Sequence, residues 1–328
     1  MILVVGGAGY IGSHLLLRLR QMGTPHLAFD NFERGHKGAV QSSSFFRGDL
    51  RSPNDLAEVF RAHPEIDLVM HFAAYAYVGE SVTEPGMYYT NNVTGVINLL
   101  DAMKTAGVNK LIFSSTCATF GEPEYLPLDE KHPQHPINPY GETKLVVEHL
   151  VDSCDKAYGL KTVCFRYFNA AGADPDGTIG EDHRPEAHLI PNAIFAAMGT
   201  GPSLKLFGTD YPTPDGTNIR DYIHVLDLAD AHLLGADHLR KDGDSRKYNL
   251  ANGDGFSNRQ VLDVVSQVVG TPVPYEETPR RPGDPARLVG TSEAVRKAWG
   301  WQPKYPDLET IVKHAYSWHK SHPRGYEI

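Results

Sequence analysis

Tyr140 and Lys144 stand four residues apart in Tyr140-Gly141-Glu142-Thr143-Lys144. On a helix that spacing puts both side chains on one face. A phenol titrates near about 10, so half ionisation at pH 7 needs a shift of about 3 units, or about 4 kcal/mol. A cation about 4 Å away supplies about that much at an effective dielectric of about 20. The pair is therefore a candidate general base for removing a hydroxyl proton. Many helices carry the same spacing on a solvated face, so the pair gains weight only from the elements that must position it.

Those elements begin at the first residues. Ile2-Leu3-Val4-Val5 is an apolar run suited to a buried parallel strand. It is followed by Gly6-Gly7-Ala8-Gly9-Tyr10-Ile11-Gly12 and by a helical apolar pattern at Ile11, Leu15, Leu16 and Leu19, which ends before Gly23. Strand, Gly-rich turn and helix are the context in which backbone amides approach a dinucleotide pyrophosphate at a helix N-terminus. The glycines read either as Gly6, Gly9, Gly12 or as Gly7, Gly9, Gly12. The next strand, His26-Leu27-Ala28-Phe29, ends in Asp30. A carboxylate there accepts from ribose hydroxyls and repels a 2′-phosphate, which points to NAD over NADP.

The chain has 328 residues, 41% hydrophobic and 22% charged, as expected of a folded globular protein. Its net charge of −9 argues against nucleic-acid or anionic-membrane partners. Cys117, Cys154 and Cys164 are too few and scattered for a disulfide framework. With no long apolar run and no basic leader, cytoplasmic residence is the expectation. The 16 histidines read as dispersed, and no metal site is expected.

Strands and helices alternate through the first half. Ser52-Pro53-Asn54-Asp55 opens a helix toward Ala62, 67–72 reads as a strand, and a long helix is expected from about Met87 to Ala106, closed by Gly107. Strands follow at 110–114 and 161–166, with the Tyr140/Lys144 helix between them. Beyond Gly172, Gly, Pro, Asp and Thr crowd the loops at 172–180 and 208–216. The fold class is α/β: a doubly wound parallel Rossmann sheet with a smaller, loop-rich C-terminal substrate-binding part. The expected division is 1–172 plus roughly 218–252 for NAD, and 173–217 with 253–328 for substrate.

With Phe207-Gly208-Thr209-Asp210-Tyr211-Pro212-Thr213, Arg220-Asp221-Tyr222-Ile223-His224 and the Arg280–Asp284 segment added to the Gly motif and the Tyr/Lys pair, the chain resembles the extended short-chain dehydrogenase/reductase family. Within it, the chain resembles the 4-epimerases acting on UDP-glucose and UDP-galactose, over nearly its whole length. The resemblance implies reversible 4-epimerisation of the UDP-hexose through a 4-keto intermediate on tightly bound NAD, in a homodimer whose long helices pair. It implies Tyr140 as acid/base on the 4′-hydroxyl, Lys144 lowering its pKa and holding the nicotinamide ribose, and Thr116 bonding the 4′-oxygen. It places Gly6, Gly9, Tyr10, Ile11 and Gly12 at the pyrophosphate, and Asp30 and Asn31 at the adenosine ribose. Asp49 and Leu50 belong to the adenine, and Phe72, Ala73, Asn91, Ser114 and Tyr167 to the rest of the cofactor channel. On the substrate side it places Asn169, Arg220 and Arg281 at the diphosphate, Leu189, Phe207, Tyr222 and Asp284 around uridine, and Leu288 at the wall facing the sugar 2′-substituent. One departure is Ala76, where some members carry a lysine near the cofactor.

Other activities stay open on the same scaffold. Epimerases of UDP-pentoses (arabinose or xylose) or of UDP-N-acetylhexosamines use the same machinery. A 4,6-dehydratase needs an acid pair directly after the active-site Thr, where Cys117-Ala118 stand. An NAD-sensing regulator would have no need of both Tyr140 and Lys144.

Overall fold

The computed structural model describes residues 1–40, 44–281 and 283–326. Strands β1 (Ile2–Val5), β2 (His26–Asp30), β3 (Phe45–Arg47), β4 (Leu68–His71), β5 (Lys110–Thr116) and β6 (Lys161–Tyr167) alternate with helices. Those helices are α1 (Tyr10–Gln21), α2 (Pro53–Ala62), α3 (Val78–Thr83), α4 (Pro85–Tyr89), α5 (Gly95–Ala106) and α6 (Pro139–Tyr158). The helix starts follow their local chemistry. The Ser52 hydroxyl accepts from the Asp55 amide at 3.3 Å with Pro53 at the first helical position, and the Asn138 side chain accepts from the Gly141 amide at 2.9 Å. The helix expected from about Met87 begins at Pro85, and a π-helical turn at Thr90–Thr94 divides it before Gly107 closes it at φ 73°.

After β6 the chain forms β7 (Asn169–Ala171), α7 (Leu189–Ala197), β8 (Leu204–Phe207), β9 (Ile219–Arg220), β10 (Tyr222–His224) and α8 (Val225–Arg240). It then returns to the main sheet as β11 (Arg246–Leu250). The seven strands are all parallel in the order β11-β6-β5-β4-β1-β2-β3. The winding direction reverses between β1 and β4, and the crevice beyond their carboxyl ends is where such sheets take ligands. Both faces of β1 are covered. Ile2 and Val4 join Leu15, Leu16 and Leu228 in one core, and Leu3 and Val5 join Leu56, Val96 and Val147 in the other.

The remaining elements are β12 (Phe256–Ser257), α9 (Asn258–Val269), β13 (Tyr275–Thr278), β14 (Arg287–Leu288), α10 (Glu293–Trp299) and α11 (Leu308–Ser321). Helices α7, α9 and α11 share a separate core around Ile194, Val261 and Ile311. Small two- and three-stranded pairings (β7 with β10, β8 with β13, β12-β9-β14) hold the loops above the main sheet. On α5, Val96 and Leu100 pack inward, while Ile97 is 41% exposed. No helix among the described residues is long and apolar enough to cross a membrane.

Candidate active site

The Gly-rich turn is shaped by backbone crowding. Gly6 adopts φ +83°, and a Cβ there would lie 2.4 Å from the Ala73 amide nitrogen at the end of the neighbouring strand. A Cβ at Gly12 would lie 2.1 Å from the Gly6 carbonyl oxygen. Gly6 and Gly12 are thus required by the protein's own packing, and Gly7 is crowded too, since a Cβ there would lie 3.0 Å from that of Ala28. Gly9 is different, since its Cβ would meet only the Gly6 oxygen, at 3.4 Å. Gly9 caps α1 with no side chain over its amides and no acid in the first turn. The amides of Tyr10 and Ile11 therefore begin a helix whose positive end is left for an anion. The Tyr10 hydroxyl donates to the Gly172 carbonyl at 2.6 Å and ties this turn to the loop after β7.

Asp30 closes β2 beside that turn. Its carboxylate accepts from the Ala8 amide at 3.0 Å and the Phe32 amide at 2.8 Å, and burial raises its pKa. Asn31 donates to Asp49 at 3.0 Å, and Asp49 pairs with Arg51 at 2.6 Å, which pulls its pKa down to about 2. Leu50, buried, sits against Gly95, and its carbonyl accepts from Asn98 at 3.0 Å. The open helix end, the glycine cradle and the acid at the end of β2 fit NAD as the resemblance implied.

Thr116 is the last residue of β5, and Tyr140 lies in the first turn of α6. The Thr116 hydroxyl accepts from the Ala118 amide at 3.1 Å and is close enough to the Tyr140 phenol to lower its pKa. Lys144, one turn along α6 and 4% exposed, donates to the Ser114 carbonyl at 2.7 Å and stands 4.9 Å from the Phe113 ring centre. Sheet and helix thus bring the pair and Thr116 together. The electrostatics differ from the sequence expectation. Burial pushes the Tyr140 phenol well above its ordinary value, the neighbouring Tyr167 adds to this, and the nearby Thr116 hydroxyl opposes it. Burial brings Lys144 down to about 7, against the pull of Glu148. The Lys144 ammonium is thus directed at the Ser114 carbonyl, and burial works against the charge on both members of the pair.

Around them, Ser114 Oγ lies 3.0 Å from His232 Nε2, and Phe72 packs on the same imidazole at 4.8 Å between ring centres. Ala73 donates its amide to the Val5 carbonyl at 3.1 Å. Asn91 sits in the π turn and donates to Asn92 at 3.0 Å, and Asn92 in turn holds the Tyr75 backbone.

The residues expected on the substrate side come from many segments. Asn169 donates to the Asp221 carbonyl at 2.8 Å. Leu189 opens α7, and Tyr222, 5% exposed, packs in the α7/α9/α11 core beside its register partner Asn169. Phe207 ends β8 with the Arg281 guanidinium 3.8 Å from its ring centre. Arg220, expected to offer its charge to a diphosphate, is instead ion-paired with Asp284, which also accepts from Asn218 at 2.7 Å. Neutralising Arg220 internally is the cheaper arrangement for a half-buried cation without a ligand. Leu288 packs against a cluster that includes Cys117, next to Thr116, and Phe168.

Sequence reasoning missed two supporting networks. The carboxylate of Asp221, buried and raised to about 6, accepts from the amides of Asn252 and Gly253, at 2.9 and 3.0 Å, and joins those loops. Glu148, buried on α6, accepts from Ser115 at 2.6 Å and from Arg166 through both Nε and Nη2, which fixes α6 on β5 and β6. The i+4 step from Lys144 to Glu148 was the available signal. The expectation of dispersed histidines also needs correction: His183 and His188 converge on Glu181 and Glu186, within the stretch Glu-Asp-His-Arg-Pro-Glu-Ala-His at 181–188.

Comparison with known proteins agrees with this geometry. Residues 2–251 match the NAD dependent epimerase/dehydratase family. The UDP-glucose 4-epimerase of Halalkalibacterium halodurans is 54% identical over 99% of this chain and 97% of its own length, and that of Streptococcus mutans is 48% identical over 99% and 98%. A crystal structure of a UDP-glucose 4-epimerase superposes with a TM-score of 0.97 at 48% identity, over 100% of this chain and 99% of the other. The Brucella ovis UDP-glucose 4-epimerase in complex with NAD gives a TM-score of 0.94 at 46% identity, over 96% and 97%. The chain belongs to the NAD dependent epimerase/dehydratase family.

Proposed function

We propose that the chain interconverts UDP-glucose and UDP-galactose by inverting C4 of the hexose. Bound NAD supplies a hydride acceptor and donor at C4 and is regenerated in each turnover. Tyr140 acts as the phenolate, an ionisation that the positive nicotinamide of bound NAD and a charged Lys144 would favour; it takes the 4-hydroxyl proton as C4 is oxidised and returns it to the oxygen once the 4-keto sugar presents its other face. Thr116 orients the phenol and donates to the same oxygen. Lys144 holds the nicotinamide ribose from the Ser114 side. Gly6, Gly9, Tyr10, Ile11 and Gly12 hold the pyrophosphate, Asp30, Asn31, Asp49 and Leu50 the adenosine end, and Phe72, Ala73, Asn91 and Tyr167 the channel between. Arg220 re-pairs from Asp284 to the diphosphate, with Arg281 and Asn169 beside it. Leu189, Phe207 and Tyr222 enclose the uridine.

The observation that carries this reading is the placement of Thr116, Tyr140 and, one turn on, Lys144 beside a glycine cradle, in a chain 54% identical to a UDP-glucose 4-epimerase. Residues 1–172 with about 218–252 serve the cofactor, and 173–217 with 253–328 the UDP-sugar. A homodimer formed through the outer face of α5, where Ile97 is exposed, and a cytoplasmic setting that suits free Cys117, Cys154 and Cys164 complete the proposal. The test is purified protein supplied with UDP-galactose and no added NAD. Formation of UDP-glucose, read by a coupled dehydrogenase, supports the reading, and its absence refutes it.

A second reading, that N-acetylated UDP-hexoses are also accepted, draws on Leu288. A Campylobacter jejuni UDP-Glc/GlcNAc 4-epimerase superposes with a TM-score of 0.85 at 41% identity. Leu288 is half-buried against the cluster that contains Cys117 and Phe168, and a side chain of its size there would narrow the sugar end without filling it.

A further inference from the structure

We propose that Glu181, His183, Glu186 and His188 form a binding site for a divalent transition-metal ion of the Zn²⁺ class. One potential ligand atom from each residue lies within 4.8 Å of the other three. Nδ1 of His183 is 3.0 Å and Nδ1 of His188 2.5 Å from the same Glu181 oxygen. Glu186 offers its oxygens at 3.6 Å from His183 and 3.4 Å from His188. Tetrahedral zinc with bonds of about 2.0–2.2 Å spaces its ligand atoms by about 3.3–3.6 Å, so small side-chain shifts close the set around one ion. Two imidazoles and two carboxylates suit zinc better than calcium or magnesium, which prefer all-oxygen shells.

Both histidines are ion-paired with both glutamates, but the network is not fully hydrogen-bonded. Among the described residues, Nδ1 of His183 has no hydrogen-bond partner despite its 3.0 Å approach to a carboxylate oxygen, because the bond directions do not meet. The cluster also borders a cavity of about 100 Å³ lined by His319, which is 3% exposed and whose Nε2 has no hydrogen-bond partner either. Glu181 itself is buried, and its backbone carbonyl accepts from Trp318 Nε1 at 3.1 Å, so the acceptor end of the site is fixed. Paired carboxylates held out of water favour a dication.

The place of the cluster gives the ion a consequence. The His183 ring lies 6.1 Å from that of Tyr10, at the start of α1, and Leu189 follows His188 directly. Metal there fastens the connection between β7 and α7 across the mouth of the nucleotide crevice. It takes no part in the hydride and proton steps, so its detection does not depend on the proposed activity.

The test uses the full chain with its NAD, treated with chelator, dialysed and titrated with ZnCl₂ alone against a chromophoric competitor. One zinc per chain is expected at micromolar concentration. His188→Asn and Glu181→Gln should each weaken it by at least about 100-fold, since even an outer-shell loss costs 10–100-fold. Co²⁺ on the unaltered protein should show the intense visible bands of a tetrahedral site, which decides the matter if a variant fails to fold. Failure to retain zinc, equal retention by both variants, or only the weak bands of six-coordinate cobalt would overturn the proposal.

Discussion

The two halves of the crevice are built in opposite ways. The cofactor half is made by short-range backbone crowding: Gly6 against Ala73, Gly12 against Gly6, Asp30 on the Ala8 amide. The half proposed for substrate is made by side chains spread over residues 169–288, held in loops by ion pairs and stacking such as Arg220 with Asp284 and Arg281 on Phe207. The first cannot rearrange without strain, whereas in the second Arg220 is paired with Asp284 and, on the proposed function, would re-pair when an anion arrives. On the proposed function, rigid placement would serve the group that stays, and adaptable charge the ligand that comes and goes and must turn over within the site.

The largest effect that would test this contrast lies where the halves meet. Tyr140→Phe removes the ionisable oxygen from a side chain whose packing it preserves. Epimerisation is expected to fall by about 10²–10⁴-fold, with NAD content unchanged by protein-bound absorbance. A variant within tenfold of the parent would remove Tyr140 from the role of base.

On the rigid side, Gly6→Ala forces a side chain into φ +83° and onto the Ala73 amide. A loss of at least about 1–3 kcal/mol in unfolding free energy is expected, together with loss of bound NAD. Gly9→Ala, open by comparison, should leave stability of the cofactor-free protein nearly unchanged while weakening NAD binding. Equal destabilisation of both would erase the distinction between packing and ligand glycines.

On the adaptable side, Leu288→Ser should raise kcat/KM for UDP-N-acetylglucosamine relative to UDP-glucose by about 10–100-fold, the value of a few atoms of steric overlap. A parent enzyme equally fast on both sugar classes would show that Leu288 is no gate, and a clear preference for UDP-arabinose would move the substrate to pentoses.

The smallest step is a pH slope. Burial lowers Lys144 to about 7, below its unfolded value of about 10.4. Between those values the unfolded chain binds the extra proton, so the cofactor-free parent should gain stability relative to Lys144→Met as pH rises from about 7 to about 10, by at most about 1.4 kcal/mol per pH unit. Chemical denaturation across that range reads it, and a flat difference would place the lysine in a wetter site.

What could be read from the sequence follows the same divide. The Gly-rich turn, the acid ending β2 and the Tyr140/Lys144 face depend on local spacing, which residues carry with them. The direction of Lys144 depends on the Ser114 carbonyl, thirty positions away, and its discharge depends on burial, which no spacing encodes. Arg220 reads as a phosphate ligand from its motif, and its pairing with Asp284 emerges only when β9 and the 284 loop meet. The Glu181–His188 cluster escaped because its histidines are five apart and a loop, not a helix, folds them together.

The most direct test of the central claim is the fate of the hydrogen on C4. UDP-galactose converted in D₂O should give UDP-glucose whose C4 carries only protium by NMR, because the hydride leaves and returns without meeting solvent. Deuterium at C4 would mean that the carbon is inverted by proton exchange, which contradicts hydride transfer to bound NAD.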